Sequence, residues 1–216
     1  GVIVTNNDPA DFTELGPLFD VILTDVPCSG EGMFRKDEVA VQEWSIENVD
    51  TCWQRQRRIL RDIWPCLKTG GLLIYSTCTY NREENEDNVA WIAQELGAEI
   101  LPLETQPDWH ITGNLTGTEF PVYRFLPHKT TGEGLFMAVL RKTADEPAVS
   151  VRTKTGGKAS KKGKGGKVVV LQVPKEMKAW VQGAGDYVFE VNDSEAMAFP
   201  AAYKDTYDLL KSQLRI

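Results

Sequence analysis

Two cysteines, Cys28 and Cys78, each stand just past an apolar, strand-like run. Phe19-Asp20-Val21-Ile22-Leu23-Thr24 leads into Asp25-Val26-Pro27-Cys28-Ser29-Gly30-Glu31-Gly32. Gly70-Gly71-Leu72-Leu73-Ile74-Tyr75 leads into Ser76-Thr77-Cys78. A thiolate is a strong nucleophile once a lowered pKa, a base or a nearby cation makes it available. Backbone amides beyond a strand end, and the start of a following helix, can supply that stabilisation. If the two runs are parallel neighbours, both thiols open into one crevice at the C-terminal ends of the strands, where open α/β sheets bind ligands. The competing reading is that a free cysteine is a small buried hydrophobe. We keep that reading for Cys52 and Cys66, which lie in an arginine-rich helical segment.

Other polar residues cluster near the first thiol. Asp25 closes its strand and can accept hydrogen bonds from an amino group of a ligand or a base. A turn-initiating aspartate before a proline loop is the simpler role. Gly30 and Gly32 provide positive φ or let a substrate backbone approach. The loop lacks the full glycine spacing and lysine of a P-loop. Arg35 and Lys36 follow and can meet phosphates, or can be solvated turn charges. His110 and His128 lie in separate loops without metal-ligand spacing, so no metal is assigned.

The positioning elements follow from periodicity. Val2-Ile3-Val4-Thr5 reads as a short buried strand that ends before Pro9. A helix is expected over 49–67, with Trp53, Ile59, Leu60, Ile63, Trp64 and Leu67 inward, a kink near Pro65 and a stop at Gly70. Another is expected over 82–96, where Asn81 and Glu84 form a capping-box pattern and Glu83, Glu84, Glu86 and Asp87 suit the helix start. Residues 98–103 read as a strand. Val122-Tyr123-Arg124-Phe125-Leu126 and Leu135-Phe136-Met137-Ala138-Val139-Leu140 read as a hairpin. Alternating strands and helices argue for an α/β fold with a mostly parallel sheet and a terminal antiparallel hairpin.

Bulk properties bound the function. An apolar content of 42% can build a core. No run of 18 apolar residues marks a membrane span, and no leader pattern is seen. Four cysteines without close pairing fit a reducing, cytoplasmic setting rather than a disulfide framework. Net charge is −7, yet residues 151–167 carry seven Lys/Arg and no acid, which leaves −14 on the remainder. Residues 143–167 are almost devoid of apolar side chains and read as a flexible basic linker. Beyond it, 168–173 reads as a strand, and 175–182 and 201–214 as helices. These 49 residues are small for an independent domain and read as the start of an α+β unit.

The motifs resemble those of a known family. Asp25-Val26-Pro27-Cys28-Ser29-Gly30-Glu31-Gly32-Met33-Phe34-Arg35-Lys36-Asp37 resembles the motif after strand 4 of the Sun/Fmu family of RNA cytosine-5 methyltransferases. Ser76-Thr77-Cys78-Thr79-Tyr80, with Glu83-Glu84-Asn85-Glu86, is similar to the motif after strand 5. Thr5-Asn6-Asn7-Asp8 is similar to the motif after strand 3. The match is nearest to the bacterial enzymes of the small ribosomal subunit and covers residues 1–142 well.

The resemblance implies a Rossmann-like class I methyltransferase fold, present in part. Residues 1–142 would be the C-terminal part of the methyltransferase domain, 143–167 the linker, and 168–216 the start of an RNA-binding accessory domain. It implies S-adenosylmethionine as cofactor and RNA, in particular 16S rRNA or the small ribosomal subunit, as partner, with no metal, no membrane and a monomeric protein. Cys78 would attack C6 of cytosine, and Cys28 would assist product release. Asp25 would contact the base or the methionine end of the cofactor, Asp8 the adenosine end of the cofactor, and Arg35 and Lys36 the RNA. The glycine loop after strand 1 and the acid after strand 2 do not occur in this sequence, so the chain is expected to be a fragment with little activity of its own.

Three rivals stay open at this point. One is a DNA cytosine methyltransferase with Cys28 as nucleophile. The second is a non-catalytic RNA-binding or ribosome-assembly module. The third is a thiol redox protein.

Overall fold

A computed structural model describes residues 2–144, 175–191 and 196–216. The chain divides into two compact units, Asp8–Val149 and a second made of Gly1–Asn7 with Ser150–Ile216.

The first unit is a sheet with helices. Strand β1 (Phe19–Asp25) pairs in parallel with β2 (Leu67–Thr77). Helix α1 (Glu38–Glu43) and helix α2 (Ile46–Ile63) lie between them in sequence, α2 being the crossover that a parallel pair requires. Helix α3 (Glu86–Glu95) leads to β3 (Ala98–Leu101). The expected hairpin forms from β4 (Tyr123–Phe125) and β5 (Leu135–Lys142). Strand β5 is antiparallel to β2, β3 and β4. Strands β1 to β4 therefore all run one way and β5 runs against them, in the order β1-β2-β5-β3 with β4 also on β5. The core gathers Leu60, Trp64, Leu67, Leu73, Tyr75, Val89, Ile92, Phe136 and Leu140.

Several sequence expectations are corrected. Val2–Thr5 is not a strand: it has no strand neighbour among the described residues, and Val2 and Val4 are 89% and 77% exposed. The helix expected over 49–67 begins at Ile46, where Ser45 caps it by accepting from the Asn48 N–H at 3.1 Å. It ends at Ile63, not at Gly70. Pro65 has no N–H to continue the ladder, so the chain passes through a 3-10 turn, Trp64–Cys66, straight into β2. Gly70 lies inside β2, in a bulge where the register skips from Phe19↔Leu67 to Val21↔Leu72. The buried stripe of α2 is Val49, Cys52, Gln56 and Leu60. Trp53 is only half-buried and lies under Arg57, whose guanidinium carbon is 4.5 Å from the ring centre.

The helix expected over 82–96 starts four residues late. Asn81 Oδ1 accepts the Glu84 N–H at 2.9 Å, as a capping residue should. The turn it caps then breaks at Asn85, whose φ and ψ are −109° and −96°, before α3 proper. The strand from Ala98 stops at Leu101 instead of 103.

In the second unit, helix α4 (Lys175–Ala179) is shorter than expected. A hairpin missed in the sequence, β6 (Tyr187–Val191) with β7 (Ala196–Pro200), precedes α5 (Lys204–Gln213). Tyr207 of α5 stacks on Phe199 at 4.4 Å, and Lys211 pairs with Glu190 at 2.7 Å. The strand expected over 168–173 and nearly all of the expected linker lie outside the described residues. No helix among the described residues is long and apolar enough to cross a membrane.

Candidate active site

The parallel pairing of β1 and β2 sets Asp25 opposite Ser76 at the C-terminal edge of the sheet. Each chain leaves that edge into a loop that carries one thiol. Cys28 and Cys78 are free, part-buried, and 3.0 Å apart between sulfurs. The two runs are parallel neighbours, as the sequence suggests, and their ends bring both thiols into hydrogen-bond contact.

Two thiols this close cannot both ionise, so the proton is divided unequally. Cys78 accepts a hydrogen bond from Cys28, which lowers its pKa to about 7 against the opposing effects of burial and the charge of Asp25. Cys28 is driven far above the ordinary thiol value, first by holding that hydrogen bond and then by burial. Cys78 is thus the thiol that ionises first, and Cys28 keeps its proton. Alkylation of Cys78 by iodoacetamide, followed on its own peptide by mass spectrometry, should rise with pH through a midpoint of about 7. In Cys28→Ala the hydrogen bond is gone, and the midpoint should move up toward the ordinary thiol value of about 8.5. An unchanged midpoint would deny the proton division.

The loops hold each other. Glu31, in the Cys28 loop, accepts the backbone N–H groups of Tyr80 (2.6 Å) and Asn81 (2.9 Å) with one carboxylate oxygen. Its other oxygen accepts from the Trp44 indole at 3.0 Å. Glu84, just after the Cys78 loop, reaches back to the Ser29 N–H at 3.0 Å and also accepts from Gln56 Nε2 (2.6 Å) and Asn81 Nδ2 (2.7 Å). Each loop therefore carries an acid whose oxygens close the other loop's backbone. The Gly32 N–H donates to the Cys78 carbonyl at 2.7 Å. A Cβ at position 32 would collide with that carbonyl oxygen, so the backbone that this glycine lets approach is the second loop and not, as expected, a substrate. Gly30 supplies the left-handed turn, with φ of 78°.

Beneath the loops the polar network continues. Tyr75 Oη donates to the Glu84 carbonyl at 2.6 Å, and Asn88 Nδ2 donates to Gln56 Oε1 at 2.7 Å. Gln56 Nε2 also reaches the Pro27 carbonyl at 2.9 Å. Among the described residues no buried side-chain nitrogen or oxygen lacks a partner. Arg124 of β4 is 4% exposed and Glu86 of α3 is 1% exposed, and they form a two-point ion pair. Arg124 Nη1 donates in addition to the Tyr80 carbonyl at 3.0 Å, anchoring the loop that bears Cys78.

The other sequence-picked residues fall as follows. Asp25 is exposed at the end of β1 and near enough to Cys78 for its charge to oppose thiolate formation. Asp8 N-caps the 3-10 helix Pro9–Leu15 and binds Arg58 through both oxygens, at 2.9 and 3.2 Å, which lowers its pKa. Arg35 has no ion-pair partner among the described residues, whereas Lys36 pairs with Glu133. Cys66 is buried and donates to the Phe12 carbonyl at 2.8 Å, and Cys52 is buried on α2, as their packing reading expects. His110 and His128 come to line one cavity, although among the described residues no cluster of three or more His, Cys, Asp or Glu is placed to hold a metal ion. Sequence reasoning missed Glu31, Gln56, Glu84, Glu86, Asn88 and Arg124 as site-building groups. The one available signal was a polar Gln56 at the centre of an otherwise apolar helix stripe.

With this geometry in hand, comparison with known proteins is decisive about kinship. The family described as 16S rRNA methyltransferase RsmB/F matches residues 1–141. A ribosomal RNA small subunit methyltransferase F of Vibrio cholerae serotype O1 is 32% identical over 181 residues, covering 79% of this chain and 38% of the relative. The protein of that name from Escherichia coli O157:H7 is 41% identical over 137 residues, covering 62% of this chain and 28% of the relative. The chain thus spans well under half the length of these relatives. Among solved structures, NSun6 from Pyrococcus horikoshii with SFG has a TM-score of 0.56 at 30% identity, covering 67% of this chain and 35% of that one. A methyltransferase homolog protein from Pyrococcus horikoshii has a TM-score of 0.54 at 31% identity, covering 66% and 45%. The chain belongs to the 16S rRNA methyltransferase RsmB/F family.

Proposed function

We propose that the full-length protein methylates C5 of a cytosine in small-subunit ribosomal RNA, using S-adenosylmethionine, with Cys78 as nucleophile and Cys28 as the residue that completes turnover. The observation that carries the reading is the 3.0 Å contact between the two thiols at the ends of paired parallel strands. Family membership and the neighbouring methyltransferase structures support it.

The chemistry needs a thiolate that adds to C6 of the base, so that electron density moves to C5. Cys78, with a pKa of about 7, supplies it at neutral pH. S-adenosylmethionine, when bound, supplies an electrophilic methyl group for that carbon. The C5 proton must then leave and the Cys78–C6 bond must break. Once Cys78 Sγ is bonded to C6 it no longer carries the charge that holds the Cys28 proton in place, so Cys28, 3.0 Å away, would lose that proton to solvent and, as thiolate, take the C5 proton. The C5–H electron pair would form the C5–C6 double bond and expel Cys78 as thiolate. The target base has to leave any stack to reach Cys78.

The residues present fit the cofactor in part. Asp25 is an exposed carboxylate at the strand end, suited to accept from an ammonium group. Asp8 has both oxygens on Arg58, and would contact the adenosine end only by exchanging that partner. Arg35 and Lys36 would meet RNA phosphate, Lys36 by way of a turn that its pair with Glu133 steadies. Residues 143–167 are proposed as a basic linker to an accessory RNA-binding domain that begins within 168–216.

The test is transfer from methyl-labelled S-adenosylmethionine to 16S rRNA and to small subunits by the full-length protein, with the nucleoside product identified by mass spectrometry. 5-Methylcytidine is expected. Product methylated only at an exocyclic nitrogen, or no product on either substrate, would defeat the reading.

A further inference from the structure

A groove of about 560 Å³ is lined by Glu31, Phe34, Arg35 and Tyr80 from the two thiol-bearing loops and by the turn after β4, including His128. His128 also lines a second cavity of about 520 Å³, together with His110, Thr112 and Lys129. The shared residue makes the two cavities neighbours, together called the furrow below: Tyr80, two residues after Cys78 in the chain, lines the first, and Lys129 lines the second.

The walls are built. The Leu126 carbonyl accepts the Lys129 and Thr130 N–H groups at 2.8 and 2.9 Å, which fixes the turn carrying His128 and Lys129. Thr112 and Arg124 exchange backbone hydrogen bonds at 3.0 and 2.8 Å, which holds the His110 loop against β4. Lys129 Nζ donates to Thr112 Oγ1 at 3.1 Å, tying together two residues that line the second cavity. Tyr80 Oη donates to the Glu133 carbonyl at 2.6 Å, which orients its ring.

The charge of the furrow is positive by arrangement. Its one acid, Glu31, has its oxygens turned into the loop clamp by the Tyr80, Asn81 and Trp44 donors. Arg35 and Lys129 have no ion-pair partner among the described residues. Phe34 is 37% exposed and offers an aromatic surface next to Arg35. Aromatic surfaces interleaved with cations suit a single-stranded nucleic acid, whose bases stack while its phosphates pair. An acidic peptide would satisfy the cations but leave the rings unused.

We propose that this furrow holds the RNA strand flanking the target cytosine, with Phe34 and Tyr80 against neighbouring bases and Arg35 and Lys129 against phosphates. The inference rests on the proposed reaction at Cys78 and adds the path by which its substrate lies.

The test compares full-length wild type, the double variant Arg35→Ala/Lys129→Ala, and Phe34→Ala, with Lys68→Ala as a control. Lys68 pairs with Asp20, away from the furrow near the start of β2. Methyl transfer to 16S rRNA is measured, and so is binding of a fluorescein-labelled single-stranded RNA oligonucleotide across a salt series. The double variant should raise KM roughly 10- to 100-fold, with kcat the less affected, and should make the salt slope shallower by roughly 1 to 2. Phe34→Ala should weaken binding roughly 5- to 100-fold without changing that slope. Lys68→Ala should match wild type. If wild type is active but KM and slope are unchanged in the double variant, or if Lys68→Ala equals its loss, the furrow is not the RNA path. If wild type transfers no methyl group, the proposed reaction fails on its own. The salt slopes then decide the furrow: a shallower slope in the double variant upholds it, and an unchanged one overturns it.

Discussion

Cys78→Ala in the full-length protein is expected to lower methyl transfer to RNA by at least roughly a thousandfold, because the thiolate proposed to add to the base is removed. Cys28→Ala is expected to behave differently. Cys78 can still attack, but the proton-bearing partner at 3.0 Å is gone, so release should stall. Mixed with 16S rRNA and S-adenosylmethionine, Cys28→Ala should yield a protein–RNA adduct that survives denaturant on a gel, and Cys78→Ala should yield none. The reverse pattern would make Cys28 the nucleophile, as in the DNA-type arrangement. The thiol pair argues against that outcome in advance. A thiol driven far above its usual pKa is a poor nucleophile, and Cys28 is the one so driven.

Breaking the Glu86–Arg124 pair should have the largest effect on stability. Both residues are buried, and removing either leaves the other as an unpaired charge inside the protein. Glu86→Leu or Arg124→Leu should each destabilise the catalytic unit by about 3–5 kcal/mol. The double variant Glu86→Leu/Arg124→Leu removes both charges and should cost markedly less than the two single losses combined. Urea denaturation of the full-length variants, followed by tryptophan fluorescence, measures this. Additive losses would mean that the pair is not a coupled unit. Arg124 also holds the Tyr80 carbonyl, so the double variant should regain stability before it regains activity.

What could be read from the sequence was local. The runs at 19–24 and 70–77 announced themselves as strands by β-branched and apolar content, and the cysteines after them were visible as chemistry. The hairpin was equally legible. Element ends were not. Pro65 ended α2 several residues before the glycine that looked like a stop, and Asn85 delayed α3 although Asn81 caps as expected. The polar frame of the site was hidden for a different reason. Glu84 and Glu86 look like acids placed for a helix dipole, yet the fold buries both, and their partners at positions 29, 56 and 124 are remote in sequence. No periodicity encodes a contact of that kind. The furrow was likewise beyond reach, because His110 and His128 meet only after β4 folds onto β5.

The reciprocal clasp of Glu31 and Glu84 has a consequence for how such a site can be moved or varied. Neither thiol loop is a self-sufficient module. The first takes its shape from an acid that lies beyond the second, and the second takes its shape from an acid carried by the first. Grafting the Cys28 loop alone onto another α/β scaffold would leave the Ser29 amide and the Glu31 carboxylate without their counterparts. The heritable unit is therefore discontinuous: two loops fifty residues apart, with Gln56 beneath them, which must change in concert or not at all.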